Sequence, residues 1–283
     1  MLGCMAAYAS NDALMKLAFL QLGFFQAIFL RGLVTILFLS IIVILRHEFH
    51  FRMSARNKIM LALRTIGEIG ATFCFLGALA HMPLANATAI MQSVPLVITL
   101  AAAAFLGESV GWRRWLSIFT GFIGVLMIVR PGMEEFNIWS LLMLLAVVLV
   151  VLRDLATRGL TLEASAPFTS LIAAIVLTIM SLLLLPMSDW NTLVLESFSI
   201  LTGAAGILIF GYLFSIMAMR VGEISFISPF RYSILLFSIF FGAVIFDEYP
   251  DTWTLIGSAI IITAGLYTIH REHRHRLGNA ISG

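Results

Sequence analysis

Leu106-Gly107-Glu108 closes one long apolar run, and Phe246-Asp247-Glu248 closes another 140 residues later. The match extends beyond these ends. At the same offset, without a gap, Gln92-Ser93 falls on Tyr232-Ser233 and Ala78-Leu79 on Ala218-Met219. Near the start, Asn11-Asp12-Ala13-Leu14-Met15-Lys16 resembles Arg153-Asp154-Leu155-Ala156-Thr157-Arg158, at an offset of 142. A chain that repeats itself in this way is built from two copies of one apolar unit.

The 283 residues are 61% hydrophobic and 11% charged, with a mean hydropathy of +1.04. Soluble domains average about 45–50% apolar and about 25% charged. The composition is that of a polytopic membrane protein. A net charge of +2, spread by loop, gives no basic surface for nucleic acid. Cys4 and Cys74 fall in different apolar segments with no CxxC, and read as small core residues. Asn11, Asp12 and Lys16 interrupt the first apolar stretch and no basic n-region precedes it, so a retained helix is expected there.

A spanning helix needs about 20 mostly apolar residues. Ten such segments are expected: residues 2–20, 25–45, 59–80, 84–105, 113–130, 138–157, 166–186, 198–219, 224–246 and 252–270. The expected organisation is a first five-helix repeat over 1–132, a second over 133–270, and a polar, basic tail over 271–283. Placing the N-terminus in the cytosol puts Arg46, Arg52, Arg56, Lys58, Arg113, Arg114, Arg158, Arg220 and the tail arginines inside. It leaves mainly Arg130 outside, with Glu134, Glu135, Asp189, Glu196, Asp247, Glu248 and Asp251. Both termini are then cytoplasmic. All five tryptophans, Trp112, Trp115, Trp139, Trp190 and Trp253, fall near expected membrane boundaries, where indole rings prefer to lie. Five spans per half is an odd number, so two similar halves must face opposite ways. Inverted repeats supply the paired inward- and outward-facing states of alternating access.

Charged groups within spans need a partner or a watery cavity. Asp12 and Lys16 lie four apart on one helical face, acid first, and Asp154 and Arg158 repeat the arrangement. They read either as local ion pairs or as part of a cavity wall shared with Tyr8, Asn11 and Met15. Arg153 adjoins Asp154 in the matching segment. Glu68 falls near mid-membrane; it reads either as fixed in a pair, with Arg64 one turn away or with a partner on another helix, or as a candidate proton carrier alongside Asp12. Arg31 and Arg231 have no acid within helical reach on their own segments; each can bind a carboxylate or tie two helices together. Ser228-Pro229-Phe230-Arg231-Tyr232 and Gln92-Ser93-Val94-Pro95 put polar groups beside a proline in both halves. Proline removes a donor and frees backbone carbonyls, a pattern found at central sites. The candidate substrate-binding or coupling residues are therefore Tyr8, Asn11, Asp12, Arg31, Glu68, Gln92, Arg153, Asp154, Ser228, Arg231 and Tyr232.

Gly107-Glu108-Ser109-Val110-Gly111 fits the G-x-S-x-G hydrolase pattern, which requires a strand-to-helix turn. Here it joins two apolar segments. Asn86-Ala87-Thr88 fits a glycosylation sequon but opens a span. No paired Cys/His spacing suggests a metal, and no cofactor is expected. Gly121-Phe122-Ile123-Gly124 and Gly203-Ala204-Ala205-Gly206 offer small faces for helix packing within the chain or in a homodimer.

Together these residues resemble the drug/metabolite transporter superfamily, in its ten-helix form with two EamA-type repeats. The resemblance rests on Phe29-Leu30-Arg31, on Ala85 through Pro95 running to Gly107-Glu108, on Gly121 and Gly124, and on Phe230-Arg231-Tyr232 running to Glu248. It implies an all-α, multi-pass secondary carrier of the bacterial inner membrane, with a cavity between spans one to four and six to nine. It implies a small organic substrate, such as a riboflavin-like vitamin, S-adenosylmethionine or an amino acid; proton coupling is the reading that Glu68 and Asp12 give. The rival readings are a membrane-embedded enzyme and a non-transporting scaffold subunit.

Overall fold

The computed structural model describes residues 1–47, 53–106, 111–131, 137–161, 165–221 and 228–281. Eleven α-helices lie within them: α1 (Leu2–Phe19), α2 (Phe24–Leu45), α3 (Ala55–Leu79), α4 (Leu84–Met91), α5 (Val94–Leu106), α6 (Trp112–Val129), α7 (Ile138–Arg158), α8 (Ala166–Leu184), α9 (Leu195–Val221), α10 (Ile234–Phe246) and α11 (Thr252–Ile281). Two 3₁₀ turns, Leu185–Met187 and Ser228–Ser233, extend α8 and lead into α10. Among the described residues there is no strand. The protein is an all-α membrane protein. Glu108, Ser109, Glu134 and Glu135 lie outside the described residues.

Local chemistry sets the helix starts. Ser54, Asn137 and Ser165 each accept backbone N–H groups of the first turn of α3, α7 and α8, at 3.3 Å from Asn57, 3.0 Å from Trp139 and 3.4 Å from Phe168. α6 and α10 end on residues with left-handed backbone, Arg130 (φ 49°) and Asp247 (φ 55°). Past Asp247 the Glu248 N–H turns back to the Gly242 carbonyl at 2.9 Å. This bend sends the Glu248 side chain back toward the bundle.

The fourth expected span is broken in two. α4 stops at Met91, and α5 starts at Val94. Pro95 carries no N–H for the Met91 carbonyl one turn back, and beside this gap the Ser93 hydroxyl donates to the Ile90 carbonyl at 2.7 Å. The ninth span opens irregularly too, with the 3₁₀ turn at Ser228–Ser233 before α10. Both breaks face the centre of the bundle.

Pairing of helices follows the two halves. α3 packs along α7, α1 along α9, α2 along α8, α6 along α11, and α10 contacts both α1 and α4. Exchanging each helix for its counterpart in the other half maps these principal pairs onto pairs that also occur, since α5 lies beside α7 as α10 lies beside α1. The main core runs through α1, α3, α4, α7 and α9, with Met15, Leu79, Leu84, Ile90, Met143 and Leu201 fully buried.

α6 and α11 meet at glycine. A Cβ on Gly124 would stand 2.7 Å from the Gly257 carbonyl, and one on Gly257 would stand 2.7 Å from the Gly124 carbonyl. The small face at Gly121 and Gly124 is thus used within the chain, against α11. The loop after α8 is tied to the start of α2. Gln26, fully buried, donates to the Asn191 carbonyl at 2.7 Å and accepts from the Asn191 and Gly23 N–H groups at 3.0 and 3.3 Å. Gly23 has no Cβ because the Asp189 carbonyl occupies that space.

Among the described residues, five helical segments are long and apolar enough to cross a membrane: Phe24–Leu45, Ala55–Leu79, Leu84–Ala104, Ile138–Arg158 and Ala166–Met187. α1 is not one of them. It buries Asn11 and Lys16 along with Met5, Ala9, Ala13 and Met15, and packs against α9 and α10. A helix enclosed by its own protein has less need of an apolar surface toward lipid.

Candidate functional site

A cavity of about 500 Å³ opens between the two halves. Tyr8, Asn11 and Asp12 of α1, Arg31 of α2, Glu68 of α3, Gln92 at the α4–α5 break, and Arg153 and Asp154 of α7 line it. Arg231 and Tyr232 of the 3₁₀ turn complete its polar wall. Ten of the eleven residues singled out in the sequence therefore meet in one space. For the eleventh, Ser228, only the backbone is described, and its side chain lies outside the described residues. The exposed Arg158, in the last turn of α7, stands at the mouth. At the other limit the lining reaches Leu76 and Thr88, which are 2% and 3% exposed. Thr72, Phe75, Thr88 and Thr99 also line it. Nothing in their sequence positions distinguishes them from other polar or aromatic residues of the spans.

The two breaks create part of this wall. Gln92, freed from helical packing, donates to the Arg231 carbonyl at 3.4 Å. Deeper in the bundle, the Thr88 hydroxyl donates to that of Ser238 at 2.9 Å, both fully buried. The irregular segments of the two halves thus cross at the centre.

The charges pair differently from the local i, i+4 expectation. Asp12 does not hold Lys16: it accepts the Asn11 side-chain amide at 2.9 Å. Lys16 reaches across the bundle to Glu248. Glu68 does not hold Arg64. Arg153 lies 3.5 Å from Glu68 and 2.9 Å from Asp154, bridging the two acids, while Arg64 donates to the Thr169 carbonyl and the Ser170 hydroxyl, both at 3.3 Å. Each of these long partners lies on another helix, where spacing along one helix cannot reveal it.

Arg31 adjoins Asp12 and Glu68 electrostatically, and its Nε is buried with no hydrogen-bond partner among the described residues. A buried donor left open costs free energy, so this nitrogen stands ready for an acceptor. Arg231 is exposed to the cavity. The Tyr232 hydroxyl is tucked against α11, in the space a Cβ on Gly265 would need. It is buried without a hydrogen-bond partner among the described residues. Tyr232 lines the cavity with its hydroxyl turned into the α11 packing. Among the described residues, no group of three or more His, Cys, Asp or Glu is arranged to hold a metal ion.

The cavity thus combines three acids and four arginines, of which, among the described residues, only Arg153 is ion-paired within it. Its volume lies within the usual range for small-molecule sites, about 300–1,000 Å³.

Residues 1–130 match the EamA-like transporter family. An S-adenosylmethionine uptake transporter of Rickettsia felis is 28% identical over 276 residues, covering 94% of this chain and 90% of that one. A riboflavin transporter of Brucella anthropi is 30% identical over 200 residues, 69% of this chain and 70% of the relative. The pseudopaline exporter CntI of Pseudomonas aeruginosa is 26% identical over 269 residues, 91% of this chain and 90% of the exporter. A solved crystal structure, 17% identical, superposes with a TM-score of 0.65 over 95% of both chains, which shows a shared fold.

Proposed function

Since the chain belongs to the EamA-like transporter family of the drug/metabolite transporter superfamily, we propose that it is a secondary carrier working by alternating access in a bacterial inner membrane. On this reading residues 1–132 and 133–270 are inverted repeats, both termini are cytoplasmic, and the substrate enters the cavity between them. The exchange-symmetric helix pairing and the paired breaks at Gln92-Ser93 and Ser228–Ser233 support it.

The observation that carries the reading is the mixed-charge cavity at the meeting of the two halves. A small organic metabolite bearing both an anionic and a cationic group suits it. Arg31, with its open Nε, and Arg231 take a carboxylate, and the acids Asp12 and Glu68 take a cationic group or a proton. S-adenosylmethionine, with a carboxylate, an ammonium and a sulfonium, has this character and is the first compound to test. Riboflavin and free amino acids are the next.

Thermal unfolding of the purified protein across this panel identifies binding, because a ligand of the folded state raises the melting temperature. Flux in proteoliposomes, with and without a pH gradient, tests transport. A compound that raises the melting temperature and moves in a gradient-dependent way establishes a proton-coupled carrier and names its substrate. Folded protein with neither response to any zwitterion overturns the substrate reading.

A further inference from the structure

A buried ion pair lies just beyond the cavity lining, one turn along α1. Asp12 lines the cavity. Lys16, one turn further along α1 and about 6 Å on at 1.5 Å per residue, is outside it and only 6% exposed. Its ammonium donates to the Met82 carbonyl at 2.8 Å and to Glu248 Oε1. The other carboxylate oxygen, Oε2, accepts the Leu84 N–H at 2.9 Å. Leu84 is the first residue of α4, whose N–H has no partner within its own helix. Glu248 therefore caps α4 and neutralises Lys16 at once. The Phe246 ring lies 5.0 Å from the ammonium.

We propose that Lys16 and Glu248 form a latch that seals this end of the carrier in the conformation seen here and opens when the opposite end closes. The proposal rests on the carrier reading above. Three features set the pair apart from a fixed strut. Its members come from the two halves that alternating access moves against each other. It lies just beyond the closed limit of the cavity at Leu76 and Thr88, whereas the opposite limit reaches exposed Arg158. Three elements, α1, the start of α4 and the end of α10, meet on one side chain, so loss of that carboxylate frees all of them together. The bond between Thr88 and Ser238, 2.9 Å long, lies on the cavity side of the latch. Once the charges part, this neutral hydroxyl pair and the apolar packing of Leu84 and Ile90 in the core they share with Leu235 remain between α4 and α10.

The test is sided labelling of the full-length protein, which needs no substrate. Met91→Cys, a cavity position, serves as reporter in a Cys4→Ala, Cys74→Ala background, with a membrane-impermeant, positively charged methanethiosulfonate applied to one side at a time. With the latch intact the reporter reacts slowly from the latch end and readily from the Arg158 end. Glu248→Gln and Lys16→Met are each expected to speed reaction from the latch end about ten-fold, a one-decade shift in the open population. The exchange Lys16→Glu with Glu248→Lys restores the ion pair without the Leu84 cap and is expected to recover part of the protection. If every variant that inserts reacts from the latch end no faster than the parent, the latch is refuted and the pair is a strut. In that case S-adenosylmethionine flux by the same variants still reports separately on the carrier reading.

Discussion

Ser93 and Ser233, 140 residues apart, make the same bond in the two halves: each hydroxyl donates to the carbonyl three residues earlier, Ile90 at 2.7 Å and Phe230 at 2.6 Å. Each stands at the entry to the regular helix that follows a break. The two positions are expected to respond alike. Ser93→Ala and Ser233→Ala should each lower stability by about 0.5–1.5 kcal/mol, the net contribution of such a bond. Thermal unfolding in detergent measures this, and a large effect at one site with none at the other would make the likeness superficial.

Arg153 bridges Glu68 and Asp154, so its loss leaves two acids facing the cavity without their cation. Arg153→Met is expected to cost more than Glu68→Gln, by about 1–2 kcal/mol once the partial exposure of these side chains is allowed for. The double variant should be less damaging than the sum of the two, as contacting groups require. A strictly additive double-mutant cycle would show that the contact contributes nothing.

Asp12 and Glu68 differ in what holds them. Glu68 shares the Arg153 guanidinium, whereas the hydrogen bond to Asp12 comes from the neutral Asn11 amide. Glu68 must give up a direct guanidinium contact before it can take a proton, whereas Asp12, although Arg31 is nearby, makes no direct ion pair among the described residues. Asp12→Asn is therefore expected to abolish the dependence of flux on a pH gradient, while Glu68→Gln retains it. Proteoliposome flux of S-adenosylmethionine at two gradients separates the cases, and the reverse pattern would assign coupling to Glu68.

Arg31→Lys keeps the charge and loses the planar fork. For a carboxylate-bearing substrate the KM is expected to rise about ten-fold, one bidentate contact's worth, with the protein still inserted. Arg231→Ala should raise KM in the same direction. Transport unchanged by both would mean that the arginines only tie helices together.

Gly124 and Gly257 leave no room for a side chain where α6 crosses α11. Gly257→Leu is expected to destabilise by about 1–3 kcal/mol, the usual cost of overpacking. Melting of the purified variant checks it.

Much of this was legible in the sequence, and the reasons differ by feature. The helices follow hydropathy closely: the segments expected at 25–45 and 138–157 correspond to Phe24–Leu45 and Ile138–Arg158. Candidate site residues could be found because a polar group within an apolar run needs a reason to be there. The pairings could not be found. Spacing puts Asp12 beside Lys16 and Arg64 beside Glu68, yet Lys16 bonds a residue 232 positions away and Glu68 one 85 positions away. Periodicity describes one helix at a time, and an ion pair within a bundle depends on which faces meet. The place of the Tyr232 hydroxyl was hidden for a similar reason, since only the packing at Gly265 shows it.

The Lys16–Glu248 contact also bears on how the chain is made. A ribosome delivers the first helix to the membrane with Asn11, Asp12 and Lys16 already in it, a costly passenger for lipid. The carboxylate that matches Lys16 is synthesised 232 residues later. Until then the lysine must stay near the surface or find a temporary partner, so the final seating of α1 waits on the synthesis of Glu248. The first half expressed alone would carry that lysine unmatched. Order of synthesis and order of final seating are thus different things in this molecule.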